Sequence, residues 1–119
     1  MQRQFPLLPL PVARLGLAMI LVGILILALI PNAEVPVSTS WDKLDHILAF
    51  FTLALLGEYA FPQWSFWRAV TLGLILYGVG IEIAQSFTPD RQSSLLDVLA
   101  DGVGILLYGA VRQLRSVWT

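Results

Sequence analysis

The sequence predicts an all-α fold, a polytopic membrane protein built as a four-helix transmembrane bundle. Of its 119 residues, 57% are hydrophobic before the nine glycines are counted, whereas soluble domains contain ~45–50% apolar residues with glycine included. Charged residues make up 13%, against ~25% in soluble domains. The apolar residues occur in long stretches without the alternation typical of strands, and helices suit lipid because their backbone polar groups pair internally.

The first predicted span covers residues 12–30, ends before Pro31 and has Arg14 as its only charge. Its length is close to the ~20 apolar residues that cross ~30 Å of hydrocarbon. A cleaved signal peptide is the competing interpretation, because Arg3 and an apolar stretch precede the small residue Ala33. The stretch is long for the apolar region of a signal peptide, so an uncleaved span is favoured.

The second, third and fourth spans complete the predicted bundle. Residues 44–61 form the second span and carry charged residues only near its ends, and residues 66–87 and 95–114 form the third and fourth. Proline, serine and other polar residues in the connecting segments predict turns. Because no linker or internal repeat is present, we expect one domain over residues 1–119.

The distribution of basic residues predicts the orientation of the bundle. Five arginines fall on the side of the two termini, whereas Lys43 and Arg91 fall on the opposite side. Basic residues are enriched on the cytoplasmic side of membrane proteins, so both termini are expected in the cytoplasm. The five arginines are Arg3, Arg14, Arg68, Arg112 and Arg115.

Charge and composition exclude several kinds of site. A net charge of −1, from seven basic and eight acidic residues, forms no basic patch for nucleic acid. The absence of cysteine excludes disulfides and thiolate sites, and the single histidine, His46, excludes a multi-histidine metal site within one chain. No metal or cofactor is therefore assigned from composition, and no pattern indicates an oligomeric state.

Acidic residues inside two of the predicted spans indicate a polar pocket. Glu82 lies ~7 Å inside the outer end of the third span, and Asp101 lies ~9 Å inside that of the fourth. A charge at such depth costs ~2.5–3.5 kcal/mol, whereas one Leu or Ile contributes only ~0.3–0.6 kcal/mol. Acids of this kind ordinarily face a bundle interior or a wet cavity. A pocket that opens to the extracytoplasmic side is therefore predicted.

Helical spacing supports the convergence of polar residues. In each of three spans, two polar residues lie three or four positions apart, which places them on one helix face. A structural interpretation stays open, because Ser94 with Asp97, and Thr39 with Asp42, fit capping boxes at helix starts. The glycines inside the spans are interpreted as close-packing positions. The three pairs are Asp42 and His46, Glu82 and Gln85, and Asp97 and Asp101.

Four polar motifs follow one another along the chain: Asp42-Lys43-x-x-His46, Glu82-x-x-Gln85, Pro89-x-Arg91-x-x-Ser94-x-x-Asp97 and Ala100-Asp101-x-x-Gly104. Their order on hydrophobic helices resembles the VanZ-like family, over about Trp41 to Tyr108. The first span is similar only as a generic hydrophobic helix. Position 101 carries aspartate where the family pattern commonly has asparagine, which adds a negative charge near those of Glu82 and Asp97.

The resemblance implies a location and a set of site residues. VanZ-like proteins are small proteins of the bacterial inner, or cytoplasmic, membrane, and the family is named for an association with resistance to glycopeptide antibiotics of the teicoplanin type. Their mechanism is not established, and membership in a broad family does not transfer one member's phenotype. The matched positions are Asp42, Lys43, His46, Glu82, Gln85, Arg91, Ser94, Asp97 and Gly104.

The leading hypothesis is a binding module of the cell envelope. Its outward-facing pocket would hold the headgroup of an envelope lipid or a lipid-linked precursor, with Arg91 pairing a phosphate or carboxylate. Buried carboxylates and Gln85 would bind hydroxyls or amides of the headgroup. Membrane lipids are thus the expected partners. The expected ligand-binding residues are Asp42, Lys43, Gln85, Arg91, Ser94 and Asp101.

Two other classes of function stay open. In a membrane-embedded hydrolase or transferase, the catalytic residues would be His46 as general base and Glu82 or Asp97 as orienting group or acid. In a structural or partner-binding bundle, the same polar residues would fix the register of the helices. A cation held by His46, Glu82, Asp97 and Asp101 is a variant of the enzyme hypothesis.

Overall fold

The computed structural model describes residues 9–30, 42–88 and 95–118. Over these residues the chain is all-α with four α-helices and forms no strand, so the all-α part of the predicted fold class is confirmed there. A short π-helical segment, Phe66–Val70, leads directly into the third helix. The helices are α1 Leu10–Leu29, α2 Asp42–Ala60, α3 Thr71–Ser86 and α4 Leu95–Trp118.

Helix boundaries differ slightly from the predicted spans. α1 begins before the predicted residue 12, because Pro11 is tolerated in a first turn, where its missing N–H has no intrahelical partner to lose. α4 continues past the predicted end at residue 114 to Trp118, and Arg115 in its last turn complements the helix dipole. A span whose length is predicted from the membrane thickness alone therefore underestimates the length of α4.

Among the residues that the structure describes, two helical segments are long and apolar enough to cross a membrane, namely α1 and the continuous segment Phe66–Ser86. Large apolar side chains on α1, such as Leu15 and Met19, are exposed and form a surface suited to lipid. This composition supports a membrane protein. For α2 and α4, which carry more polar residues, the membrane-spanning role stays a prediction.

α2 and α4 pack against each other more extensively than any other pair of helices and run in the same direction. Near their starts, His46 contacts Asp101, and near their ends, Glu58 contacts Arg115. Gly104 in α4 allows the close approach, because a Cβ there would overlap the carbonyl oxygen of Ile47 in α2. The predicted close-packing role of glycine therefore holds at this position.

α1 and α3 run opposite to that pair. Near the ends of α3 and α1, Gln85 Nε2 donates to the carbonyl oxygen of Ala28 at 2.8 Å. Near the start of α1, Arg14 Nε donates to the carbonyl oxygen of Ala60 at the end of α2, at 2.9 Å. We call the end with the starts of α2 and α4 the polar end, and the opposite end the basic end.

Candidate functional site

A partly buried histidine and a buried aspartate form the centre of the polar end. Nδ1 of His46 in α2 and Oδ1 of Asp101 in α4 are 2.7 Å apart, and their side chains are 13% and 1% exposed. In the neutral imidazole this hydrogen bond assigns the proton to Nδ1 and leaves the lone pair on Nε2. Asp101 therefore orients the ring, a role predicted from the sequence for Glu82 or Asp97.

Asp97 joins this pair from the first turn of α4. Its Oδ1 accepts a hydrogen bond from Lys43 Nζ at 2.5 Å, and its Oδ2 lies 3.8 Å from Nε2 of His46. The Asp97 side chain is 3% exposed, whereas that of Lys43 is 32% exposed and reaches the rim of the site. A carboxylate in the first turn of a helix is also stabilised by the helix dipole. Asp97 is therefore stabilised both by the dipole of α4 and by its ion pair with Lys43.

α3 contributes Glu82 and Gln85, and both side chains are buried. Gln85 Nε2 donates to the carbonyl oxygen of Ala28, one of the last carbonyls of α1, which lack intrahelical partners. The other amide atom of Gln85, Oε1, is buried and accepts no hydrogen bond from the described residues. Gln85 thus fixes the end of α1 against α3 at the polar end.

A glycine in α3 makes room for the central aspartate. A Cβ at Gly78 would lie 2.5 Å from Oδ2 of Asp101 and 3.3 Å from Cζ of Phe50. At Gly80, on the same helix, a Cβ would meet nothing within 4 Å. The missing side chain at position 78 therefore lets α3 approach Asp101 closely.

Three side chains of the kinds that bind metal ions come together from three helices, namely His46, Glu82 and Asp97. One nitrogen or carboxylate oxygen from each residue lies within 4.8 Å of the other two. Such donors hold a shared proton, accept hydrogen bonds from a ligand or bind a divalent cation. The structure therefore places the three residues that were predicted as catalytic close to one another.

The remaining predicted site residues are only partly described. Asp42 is the first residue of α2, and its side chain falls outside the described part of the structure. Arg91 and Ser94 precede α4 and lie outside the described residues. The predicted site residues whose side chains are described at the polar end are Lys43, His46, Glu82, Gln85, Asp97 and Asp101.

The chemistry of the polar end is that of a cluster of buried acids with one partly exposed lysine beside it. Its buried carboxylates accept hydrogen bonds from hydroxyl, amide or ammonium groups. Lys43 pairs with Asp97, and its side chain is 32% exposed. The hydrogen bond between Asp101 and His46 also resembles the arrangement that orients a general base.

A second polar cluster lies at the basic end and was not predicted from the sequence. Glu58 in α2 accepts hydrogen bonds from Tyr108 Oη and Arg112 Nε, and from Arg115 Nη2 at 2.8 Å. From the sequence, the two arginines were used only to predict the orientation, and their hydrogen bonds to Glu58 are an additional role. Tyr108, Arg112 and Arg115 are spaced four and three positions apart, so they share one face of α4. That shared face indicates a cluster only once α2 and α4 are known to run in parallel.

Comparison with known proteins adds a relationship at the level of sequence. The sequence model of a family described as VanZ/LLP1 matches residues 15–112. The matched range includes every side chain described above at the polar end. No curated protein and no solved structure matches the chain.

Proposed function

Because the chain belongs to the VanZ/LLP1 family, we propose that it is a bacterial inner-membrane protein whose polar end faces out of the cytoplasm and binds the headgroup of an envelope lipid or a lipid-linked precursor. Two helical segments have the length and composition to cross a membrane. In this proposal α2 and α4 cross it as well, and both termini are cytoplasmic. The arginines of the basic end support that orientation.

The observation that carries the proposal is the burial of three carboxylates at one end of the bundle. Glu82, Asp97 and Asp101 are 8%, 2% and 1% exposed. Burying charged carboxylates costs several kcal/mol each unless a partner offsets the loss of hydration. Lys43 and His46 already pair with Asp97 and Asp101. In this proposal a headgroup with hydroxyl, amide or ammonium groups adds further donors to the cluster, and the partly exposed ammonium of Lys43 also contacts its phosphate.

Native mass spectrometry of the full chain, extracted from its own membrane, tests this proposal. We expect a retained lipid or precursor in the wild type and its loss from Glu82→Gln and Asp97→Asn, which keep the size of the side chain and remove its charge. Asp45→Asn is the matched control, because it makes the same chemical change on α2 at a residue that is not one of the three grouped donors. A wild type that retains no lipid, or folded site variants that retain it fully, contradict headgroup binding.

A membrane-embedded hydrolase or transferase is a second candidate, favoured by the hydrogen bond between His46 and Asp101. In that case Asp101 holds the imidazole so that Nε2 acts as general base. Incubation of the reconstituted protein with lipid extract, followed by product analysis, separates turnover from binding. His46→Gln abolishes turnover if the imidazole is the base.

A link to the glycopeptide response is proposed from family membership alone. The test compares growth in teicoplanin of a susceptible host that expresses the wild type or Asp97→Asn. Protection by the wild type that Asp97→Asn lacks supports the link. If both strains and the host without the protein are equally susceptible to teicoplanin, the proposed link is wrong. That result does not affect the proposal of headgroup binding, which native mass spectrometry tests.

A further inference from the structure

We infer that His46, Glu82 and Asp97 bind a divalent transition-metal cation, and that Asp101 holds His46 in the binding orientation. This inference deepens the proposed function, since it rests on the same pocket and would place the cation against the headgroup. Metal binding is nevertheless measurable without any lipid.

The three donors approach one another from α2, α3 and α4, and one atom from each lies within 4.8 Å of the other two. Ligand atoms around a tetrahedral zinc ion at ~2.0–2.2 Å are about 3.3–3.6 Å apart. Small rotations of the side chains, moving each donor by less than about 1 Å, bring the three atoms to that spacing. The helix backbones already hold the residues in place.

The contact between His46 and Asp101 matches the support that metal-binding histidines ordinarily have. Asp101 engages Nδ1 at 2.7 Å, and Nε2, which we assign as the metal ligand, lies 3.8 Å from Oδ2 of Asp97. Metal-binding histidines almost always donate their second N–H to a carboxylate, carbonyl or water, which fixes the tautomer and the ring orientation. Asp101 performs that role here, in the space that Gly78 provides.

The charges of the site also favour a divalent cation. Glu82, Asp97 and Asp101 are buried, and the ammonium of Lys43 is partly exposed. When these four groups are ionised, three negative charges and one positive charge sum to −2. Such an excess is costly in a low-dielectric interior, and a divalent cation balances it. Lys43 binds Oδ1 of Asp97 and leaves Oδ2, which faces His46, for the metal.

The donor set selects among divalent cations. One imidazole nitrogen with two carboxylates suits Zn²⁺ or Mn²⁺ better than Mg²⁺, which prefers oxygen ligands. Zn²⁺ stands above Mn²⁺ in the general affinity order for such ligands. Three protein ligands leave at least one coordination position open, as in catalytic zinc sites. Water or a headgroup phosphate would occupy it.

Equilibrium dialysis of the full-length protein in detergent against Zn²⁺, after treatment with a chelator, tests the inference. We expect saturable uptake of a single Zn²⁺ per chain, and binding weaker by more than about 100-fold in Glu82→Gln and Asp97→Asn. Asp101→Asn weakens binding by about 10–100-fold, because it removes the carboxylate that supports His46. Asp45→Asn keeps the affinity of the wild type. No saturable uptake by the wild type, or unchanged affinity in folded Glu82→Gln, overturns the inference.

The visible absorption of wild-type protein loaded with Co²⁺ gives a readout that needs no variant. Strong bands from a four- or five-coordinate site support the inference, and the weak spectrum of hydrated Co²⁺ overturns it. Lipid retention measured in the presence of a chelator separates the two proposals. Lipid retained by a protein that binds no Zn²⁺ overturns the metal site alone, whereas Zn²⁺ bound by a protein that retains no lipid supports the metal site and overturns headgroup binding.

Discussion

His46 and Asp101 belong to different helices, 55 positions apart in the chain, yet Nδ1 and Oδ1 are joined by a hydrogen bond of 2.7 Å. The contact requires α2 and α4 to run in the same direction with their starts at one end. It also requires α3 to approach without a side chain at Gly78. The geometry of the site therefore depends on how the helices pack. The substitutions below distinguish effects on metal binding from effects on the stability of the fold.

Gly78→Ala is expected to damage the site. The new Cβ would lie 2.5 Å from Oδ2 of Asp101, so the carboxylate must move and the support of His46 weakens. Zn²⁺ affinity is predicted to fall by about tenfold or more, measured by equilibrium dialysis. Gly80→Ala is the control on the same helix, because its Cβ meets nothing within 4 Å. Equal affinities in the two variants would contradict the role assigned to Gly78.

Gly104→Ala is expected to destabilise the pair formed by α2 and α4. Its Cβ would overlap the carbonyl oxygen of Ile47, a backbone atom that moves only with its helix. A loss of ~1–3 kcal/mol in the free energy of unfolding is predicted. Gly102→Ala places its Cβ 4.0 Å from Ile75 Cδ1 and is predicted to stabilise by ~0.5–1 kcal/mol. Unfolding of both variants in the same detergent measures the contrast, and a Gly104→Ala protein as stable as the wild type refutes it.

Tyr108→Phe is expected to weaken the fold without changing the site. It removes the hydroxyl that donates to Glu58 at the basic end and keeps the packed ring. The predicted loss is ~0.5–1.5 kcal/mol in the free energy of unfolding, whereas Zn²⁺ affinity stays at the wild-type value. Glu58→Gln is predicted to lose more, ~1–3 kcal/mol, because Arg112 and Arg115 lose their charged partner. Reduced Zn²⁺ affinity in folded Tyr108→Phe would show that the two ends are not independent.

Labelling of engineered cysteines tests the orientation, since the natural chain contains none. Leu95→Cys lies at the polar end, where Leu95 is 75% exposed, and Ser65→Cys lies at the basic end at an exposed position. A membrane-impermeant maleimide applied to intact spheroplasts is predicted to label Leu95→Cys only. Labelling of both variants after the membrane is opened is the control. Labelling of Ser65→Cys alone in intact spheroplasts reverses the proposed orientation.

The gathering of polar residues at one end was predictable, but their exact pairing was not. The cost of charge in lipid predicts that Glu82 and Asp101 avoid the acyl chains. Asp97 and Asp101 lie one turn apart on the same face of α4, so either could have met His46. The contact of Gly104 with Ile47 sets how far α4 slides along α2, and that register brings Asp101 to Nδ1. A single sequence does not encode such a register in its spacing.

The cluster around Glu58 was missed for a different reason. The rule that basic residues favour the cytoplasmic side accounts for Arg112 and Arg115 by their side of the membrane alone. That rule does not predict which residues the arginines contact. Because both arginines already had an interpretation, no ion pair with Glu58 was sought. The shared helix face of Tyr108, Arg112 and Arg115 becomes informative only when α2 and α4 are known to run in parallel.

The single histidine of the chain allows the most direct test of convergence at the polar end. With ¹⁵N-histidine labelling, His46 alone gives imidazole signals. We predict a protonated Nδ1 whose proton resonates far downfield, as a hydrogen bond to a buried carboxylate requires, and ring signals that shift in Asp101→Asn but not in Asp45→Asn. Ring signals that average between tautomers in the wild type and do not respond to Asp101→Asn would contradict the account.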